Sequence, residues 1–121
     1  MEALKQYEIW WVKLPRPVGR RPVLLLSRDS AYSYLNKFLV VEITTTVRNL
    51  PVEISLSRRE GLTRTCVANC DNIHCVDKNA FQERIGGLAP ARHAEVKRAI
   101  GYAFAWNELR DDAEPGLSSV N

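Results

Sequence analysis

The chain has 121 residues, 45% of them hydrophobic and 26% charged, with a formal net charge of +3. That length supports one hydrophobic core and excludes a multidomain enzyme, and the composition excludes collagen-like and wholly disordered chains. The longest apolar runs, residues 23–26 (VLLL) and 38–41 (FLVV), fall far short of the roughly 20 residues that a membrane helix needs. The opening residues, MEALKQYEIWW, show no basic stretch followed by an apolar block. A secretory signal is therefore not expected, and the cytoplasm is the expected location.

In chain order, residues 8–14 (EIWWVKL) are rich in strand formers and end at Pro15, after which Pro15, Pro17 and Gly19 make a loop. Residues 22–27 (PVLLLS) read as a strand buried on both faces, and residues 28–36 as a loop with one helical turn. Residues 37–46 return to strand composition, and residues 52–57 (VEISLS) alternate strictly, as a half-buried strand does. Two more short strands are expected at 64–68 and 72–76, flanking Asn69, Cys70 and Asp71. Residues 78–85 suggest a short helix broken by Gly86 and Gly87.

The one long helix is expected over 90–106. Pro90 suits its first position, although Ala89 is a poor cap. Val96, Ala99, Ile100 and Ala103 fall at helical spacing and form one stripe for burial against the sheet. Gly101, inside that helix, weakens it unless its missing side chain permits close packing. Six strand-like stretches, a late helix and no strand–helix alternation imply a mainly β fold, a small antiparallel barrel with a C-terminal α-helix. Residues 1–107 would form that domain, leaving 108–121 as an acidic flexible tail.

Charge is unevenly spread. The tail holds four acids and one arginine, net −3, which leaves +6 on residues 1–107. Five basic residues and no acid lie between Lys13 and Arg28. Such a field attracts phosphate, although a solvated basic face has the same composition. The three cysteines, Cys66, Cys70 and Cys75, lack the paired knuckle spacing of a zinc site and lie in strand-like sequence. They read as buried thiols, and no metal or other cofactor is expected.

Gly-rich phosphate loops, paired helical histidines and nucleophile-elbow serines are absent from the sequence. What stands out is Gly19-Arg20-Arg21-Pro22 leading into a strand, then Ser27-Arg28-Asp29, and the segment ITTTVRNLP from Ile43 to Pro51. A guanidinium binds two phosphoryl oxygens at once and stays charged, and a threonine hydroxyl adds a donor. Arg21 and Thr44 are thus the right types to stabilise a phosphoryl transition state. Arginine is a poor general base at neutral pH, so proton transfer needs another group, and His74 is a candidate. Trp10 and Trp11 point to opposite faces. His93 reads as structural, Asp29 as a local loop anchor, and Tyr32 and Tyr34 as weak candidates for base stacking.

With these segments quoted, the sequence resembles the MazF/PemK toxin endoribonucleases. The matching stretches are EIWWVKL, GRRPVLLLSRD, VVEITTTVRNLPVEISL, ANCDNIHCVDK and RIGGLAPARHAEVKRAI, in the family's order over residues 8–105. The resemblance implies an SH3-like barrel, a homodimer, metal-independent RNA cleavage, and inhibition by a cognate antitoxin protein. It also implies catalytic roles for Arg21 and Thr44. RNA contacts are implied for Arg20, Arg28, Thr45, Arg48, Asn72 and His74. Thr45 stands where a serine is frequent, Asn72 where a glutamine is common, and His74 and Cys75 where an arginine–threonine pair is frequent. A second expectation on the same barrel is a toxin that binds a protein target, as the CcdB-type gyrase poisons do. A third is a non-catalytic RNA-binding module.

Overall fold

The computed structural model describes residues 3–112. Six strands, β1 (Glu8–Lys13), β2 (Arg20–Leu25), β3 (Lys37–Thr44), β4 (Glu53–Leu56), β5 (Cys66–Asp77) and β6 (Phe81–Gly87), form one sheet in the order β4-β5-β3-β2-β1-β6. All its pairings are antiparallel, and the sheet curls into a half-barrel, the mainly β architecture expected. The helices α1 (His93–Phe104) and α2 (Asn107–Asp112) follow. None of the described helices is long and apolar enough to cross a membrane.

Alternation along the strands builds two apolar faces. Ile9 pairs with Leu24 and Leu24 with Val41, and this face, with Ile43, receives Val96 and Ala99 of α1. Trp10 pairs with Val23 and Leu25 with Val40, and these join Phe38, Val76 and Phe81 on the other face. Full burial of one such side chain contributes about 1.5–3 kcal/mol. Tyr32, Phe38, Phe81 and Trp10 meet edge to face, with centroids 4.7, 5.8 and 6.4 Å apart in turn. Trp10 is buried whereas Trp11 is only partly so, in keeping with their opposite orientation.

Several elements differ from expectation, each for a tertiary reason. The two short strands at 64–68 and 72–76 are one strand, β5. Its Asn69 side chain accepts from the Asp71 N–H at 2.9 Å, making a bend rather than a break. The pairing with β3 shifts there, between Val41↔Ile73 and Ile43↔Ala68. Residues 78–85 are not a helix. A 3₁₀ turn, Lys78–Ala80, leads into β6, which pairs with the edge of β1 and buries Phe81. Sheet pairing here overrides local helix preference. The long helix starts later than expected, after a 3₁₀ turn at Pro90–Arg92, and Ala89 supplies no side-chain cap.

Helix α1 ends at Ala105, whose φ of 58° turns the chain left-handed, and the Trp106 N–H bonds the Gly101 carbonyl at 2.8 Å. Helix α2 then folds back. A Cβ at Gly101 would lie 2.8 Å from Arg110 Cγ and 3.0 Å from the Trp106 oxygen, so the bare glycine is what lets α2 approach. Residues 108–112, expected to begin the flexible tail, are therefore helical, and 113–121 lie outside the described residues. Cys66 and Cys70 are buried as expected, but Cys75 is exposed on β5. His93 is structural. Its ring stacks on Tyr7 at 3.5 Å, and its Nε2 lies 3.0 Å from the Leu88 carbonyl. Asp29 anchors a distant segment rather than its own loop, accepting from the Gln6 N–H at 2.7 Å.

Candidate active site

Arg21 stands near the start of β2 and Thr44 closes β3. The β2–β3 register pairs Val23 with Glu42, and carrying it two residues further sets Arg21 opposite Thr44. Side chains alternate with period two, so Arg21 shares the face of Val23, and Val40, Glu42 and Thr44 share one face. On the other side of β3, His74 pairs with Val40. Four polar side chains, Arg21, Glu42, Thr44 and His74, thus emerge on one face across three adjacent strands.

Their contacts confirm that placement. His74 Nε2 donates to Glu42 Oε2 at 2.9 Å, and Arg21 Nε lies 3.9 Å from Glu42 Oε1. The side chains of Arg21, Glu42 and His74 are 45%, 20% and 39% exposed, so a ligand can reach the two outer groups while the carboxylate sits deeper. Among the described residues Arg21 makes no other bond, so most of its five donors stay available. Thr44 Oγ1 accepts from the Thr46 N–H at 3.2 Å, which leaves the hydroxyl proton to be donated outward.

Arg21 and Thr44 line one cavity of about 320 Å³, together with Arg20, Thr45, Arg64 and Trp11. Thr44 also borders an adjoining polar hollow of about 170 Å³ with Glu42, Thr46, Arg48, Asn69 and Asn72. Arg20 is fixed in the wall of the first. It donates to Gln82 Oε1 at 2.9 Å, pairs with Glu83 at 3.5 Å and lies 4.2 Å over the Trp11 ring. The loop carrying Arg48 is folded by Glu53, whose carboxylate accepts the Arg48 N–H at 3.1 Å and the Leu50 N–H at 3.2 Å.

Arg28 is the expected contact that the fold does not bring in. It follows the far end of β2 from Arg21, where it donates to Ser30 Oγ at 3.1 Å and to the Tyr34 hydroxyl. Tyr32 is buried and donates to the Ser27 carbonyl at 2.8 Å, so it cannot stack on a base. Cys70 offers no nucleophile, because burial pushes its thiol up to about 12.

Two groups escaped the sequence reading. Glu42 was legible only as part of a strand. The available signal was an acid in apolar VVEIT, two residues before Thr44 and so on its face. The other is the loop of residues 57–65, which walls the cavity with Gly61, Leu62, Thr63 and Arg64. Arg58, Arg59 and Arg64 of this loop make no ion pair among the described residues and form a free basic rim.

Close backbone contact holds that wall. A Cβ at Gly86 would lie 2.0 Å from the Glu60 carbonyl oxygen, and one at Gly61, where φ is 99°, would lie 2.5 Å from that of Ile85. Buried Glu60 accepts the Ser57 N–H at 2.7 Å and pairs with Arg92 at 3.1 Å. Arg92 in turn donates to the Ser55 carbonyl and to both oxygens of Glu95.

Comparison with known proteins identifies the family. Residues 5–104 match the family model described as PemK-like, MazF-like toxin of type II toxin–antitoxin system. The protein named probable endoribonuclease MazF2 of Mycobacterium tuberculosis is 39% identical over 98 residues, covering 80% of this chain and 94% of that one. The solved structure of the Mycobacterium tuberculosis toxin MazF-mt6 superposes with a TM-score of 0.76 at 33% identity, covering 81% of this chain and 96% of that one. A mycobacterial endoribonuclease solved in complex with its cognate antitoxin shares the fold, with a TM-score of 0.75 at 23% identity over 86% of this chain and 97% of that one. The chain belongs to the PemK/MazF-like toxins of type II toxin–antitoxin systems.

Proposed function

We propose that this chain is an endoribonuclease that cleaves single-stranded RNA by attack of a ribose 2′-hydroxyl on the adjacent phosphodiester, with the charge supplied by side chains rather than a metal. The observation that carries this reading is the pair formed by Arg21 and Thr44 at the mouth of one cavity, each with donors free to turn outward. As the 2′-oxygen attacks, negative charge builds on the non-bridging oxygens. A bidentate guanidinium and a hydroxyl placed there stabilise that charge in the transition state more than in the ground state. The P–O5′ bond breaks, giving a 2′,3′-cyclic phosphate and a 5′-hydroxyl.

The RNA path in this reading runs from the hollow of Arg48 and Asn72, over Thr44, Thr45 and Arg21, past Arg20 towards Arg58, Arg59 and Arg64. His74 flanks it beside Glu42. The cognate antitoxin would occupy the same basic groove, the working form would be a homodimer, and the cytoplasm its place of action. A protein-directed toxin of the same fold is not favoured, since relatives 35% and 39% identical are named endoribonucleases.

Incubating the purified protein with mixed single-stranded RNA in EDTA tests the reading. Cleavage with cyclic phosphate ends by wild type, and strongly reduced cleavage by Arg21→Ala, is the expected result. No cleavage by wild type, or equal cleavage by both, would overturn it.

A further inference from the structure

The two hollows that meet at Thr44 differ in charge. The one that holds Arg21 also carries Arg20 and Arg64, and no acid lines it. The second, of about 170 Å³, is lined by Glu42, Thr44, Thr46, Arg48, Asn69 and Asn72, all polar, with one carboxylate against one guanidinium. A phosphate is drawn to the first and repelled by the acid of the second. The second suits a neutral group that hydrogen-bonds, and the shared Thr44 sets it beside the phosphate site.

An irregularity in the sheet builds this second hollow. From Val41 to Ile43 β3 advances two residues, while β5 covers five between their partners Ile73 and Ala68, so β5 bulges. Glu42 faces the bulge, and Asn69 and Asn72 lie on it. Bulges re-aim side chains beside active sites. The groups gathered here are largely unspent. Glu42 holds His74 on Oε2 at 2.9 Å, but its Oε1 meets only Arg21, at 3.9 Å, beyond hydrogen-bond length. Asn69 uses its oxygen on the Asp71 N–H, which leaves its NH2 to donate. Among the described residues the side chains of Thr46, Arg48 and Asn72 have no bonded partner.

We infer that this hollow reads the base beside the scissile phosphate and that Glu42 selects guanine there, an inference that rests on the nuclease reading above. Sequence-specific recognition of single-stranded RNA hydrogen-bonds the edges of unstacked bases. A carboxylate only accepts, and its two oxygens offer about four lone-pair sites, so the bond to His74 does not exhaust it. Guanine alone presents two adjacent donors, N1–H and the N2 amine, that match the carboxylate fork. Cytosine and adenine offer one amine beside an accepting ring nitrogen, which a carboxylate repels. Uracil sets its single N3–H between two carbonyls. Arg48 and the amides of Asn69 and Asn72 supply donors for guanine O6 on the same edge. Glu42 is thus a specificity-determining residue, while Arg21 and Thr44 hold the phosphate.

The test is a cleavage map of a randomised single-stranded RNA pool by wild type and Glu42→Gln, with thermal unfolding to verify that the variant is folded. Then kcat/KM is measured for wild type on one cleaved sequence with guanine or inosine, which lacks the N2 amine, at the selected position. Wild-type sites should carry guanine on one side of the cut, and inosine should lower kcat/KM by about tenfold. Glu42→Gln should reduce the preference for guanine over the other bases by roughly 10–100-fold. The inosine comparison uses wild type alone, so it decides the matter even if the variant fails to fold. Wild-type sites without guanine, equal rates for guanine and inosine, or a loss in Glu42→Gln that is the same for all four bases would overturn the inference and leave the nuclease reading standing. Absence of cleavage by wild type would remove both.

Discussion

Two of the carboxylates that pair with arginines, Glu60 and Glu42, differ in how completely their partners are used. Glu60 is 5% exposed, and Arg92, the arginine it binds, is spent on Glu60, both oxygens of Glu95 and the Ser55 carbonyl. Glu42 touches Arg21 at only 3.9 Å, and Arg21 keeps the rest of its donors for a ligand. A saturated guanidinium is structural because nothing remains to bind substrate. An unsaturated one over a cavity is ready for an oxyanion. The same contrast separates the wall of residues 57–65 from the face of Arg21, Glu42, Thr44 and His74.

Substitution should break the two networks in opposite ways. Arg21→Ala should cut RNA cleavage by about 10²–10³-fold, measured as initial rates on a defined oligonucleotide. It should move folding stability by no more than about 0.5 kcal/mol, because the side chain is half exposed. Glu60→Ala leaves Arg92 and the Ser57 N–H without their buried partner and should cost about 3 kcal/mol in denaturant unfolding. If Arg21→Ala unfolded the protein, or Glu60→Ala were neutral to stability, the division would fail.

A smaller effect sharpens the structural side. The hydrogen bond from Arg92 holds the Glu95 carboxyl below the usual carboxylate range. A carboxyl lowered on folding contributes stability that is present above its unfolded value and lost as pH falls through the folded one. Thermal unfolding should therefore show wild type losing a few degrees more than Glu95→Gln between neutral pH and pH about 3. The smallest effect is chemical labelling. Iodoacetamide on the native protein should modify exposed Cys75 and spare Cys70, whose thiol burial pushes up to about 12. Native modification of Cys70 would show that the sheet beneath the site opens readily.

Most of the fold was legible because strand alternation and turn residues are local signals. VEISLS carries the period of two that β4 uses, and EIWWVKL carries the strand formers of β1. Residues 78–85 were misread because their strand state is imposed by pairing with β1, which lies about 70 residues away in sequence. Of the site, Arg21 and Thr44 were legible by resemblance, and Arg28 was misplaced because adjacency in a motif does not place residues at the same end of a strand. Glu42 was invisible as a functional group until β2 and β5 flanked β3, since its partners Arg21 and His74 are 21 and 32 positions distant. The role of Gly101 in admitting α2 was half legible, as a cost to the helix without the neighbour that explains it.

The most direct measurement of the central claim is a crystal structure of the protein bound to RNA carrying a 2′-deoxy nucleotide at the scissile position, which blocks attack without removing the phosphate. The account predicts the scissile phosphate within hydrogen-bond distance of both the Arg21 guanidinium and the Thr44 hydroxyl. A phosphate seated elsewhere, with Arg21 and Thr44 facing empty solvent, would contradict it.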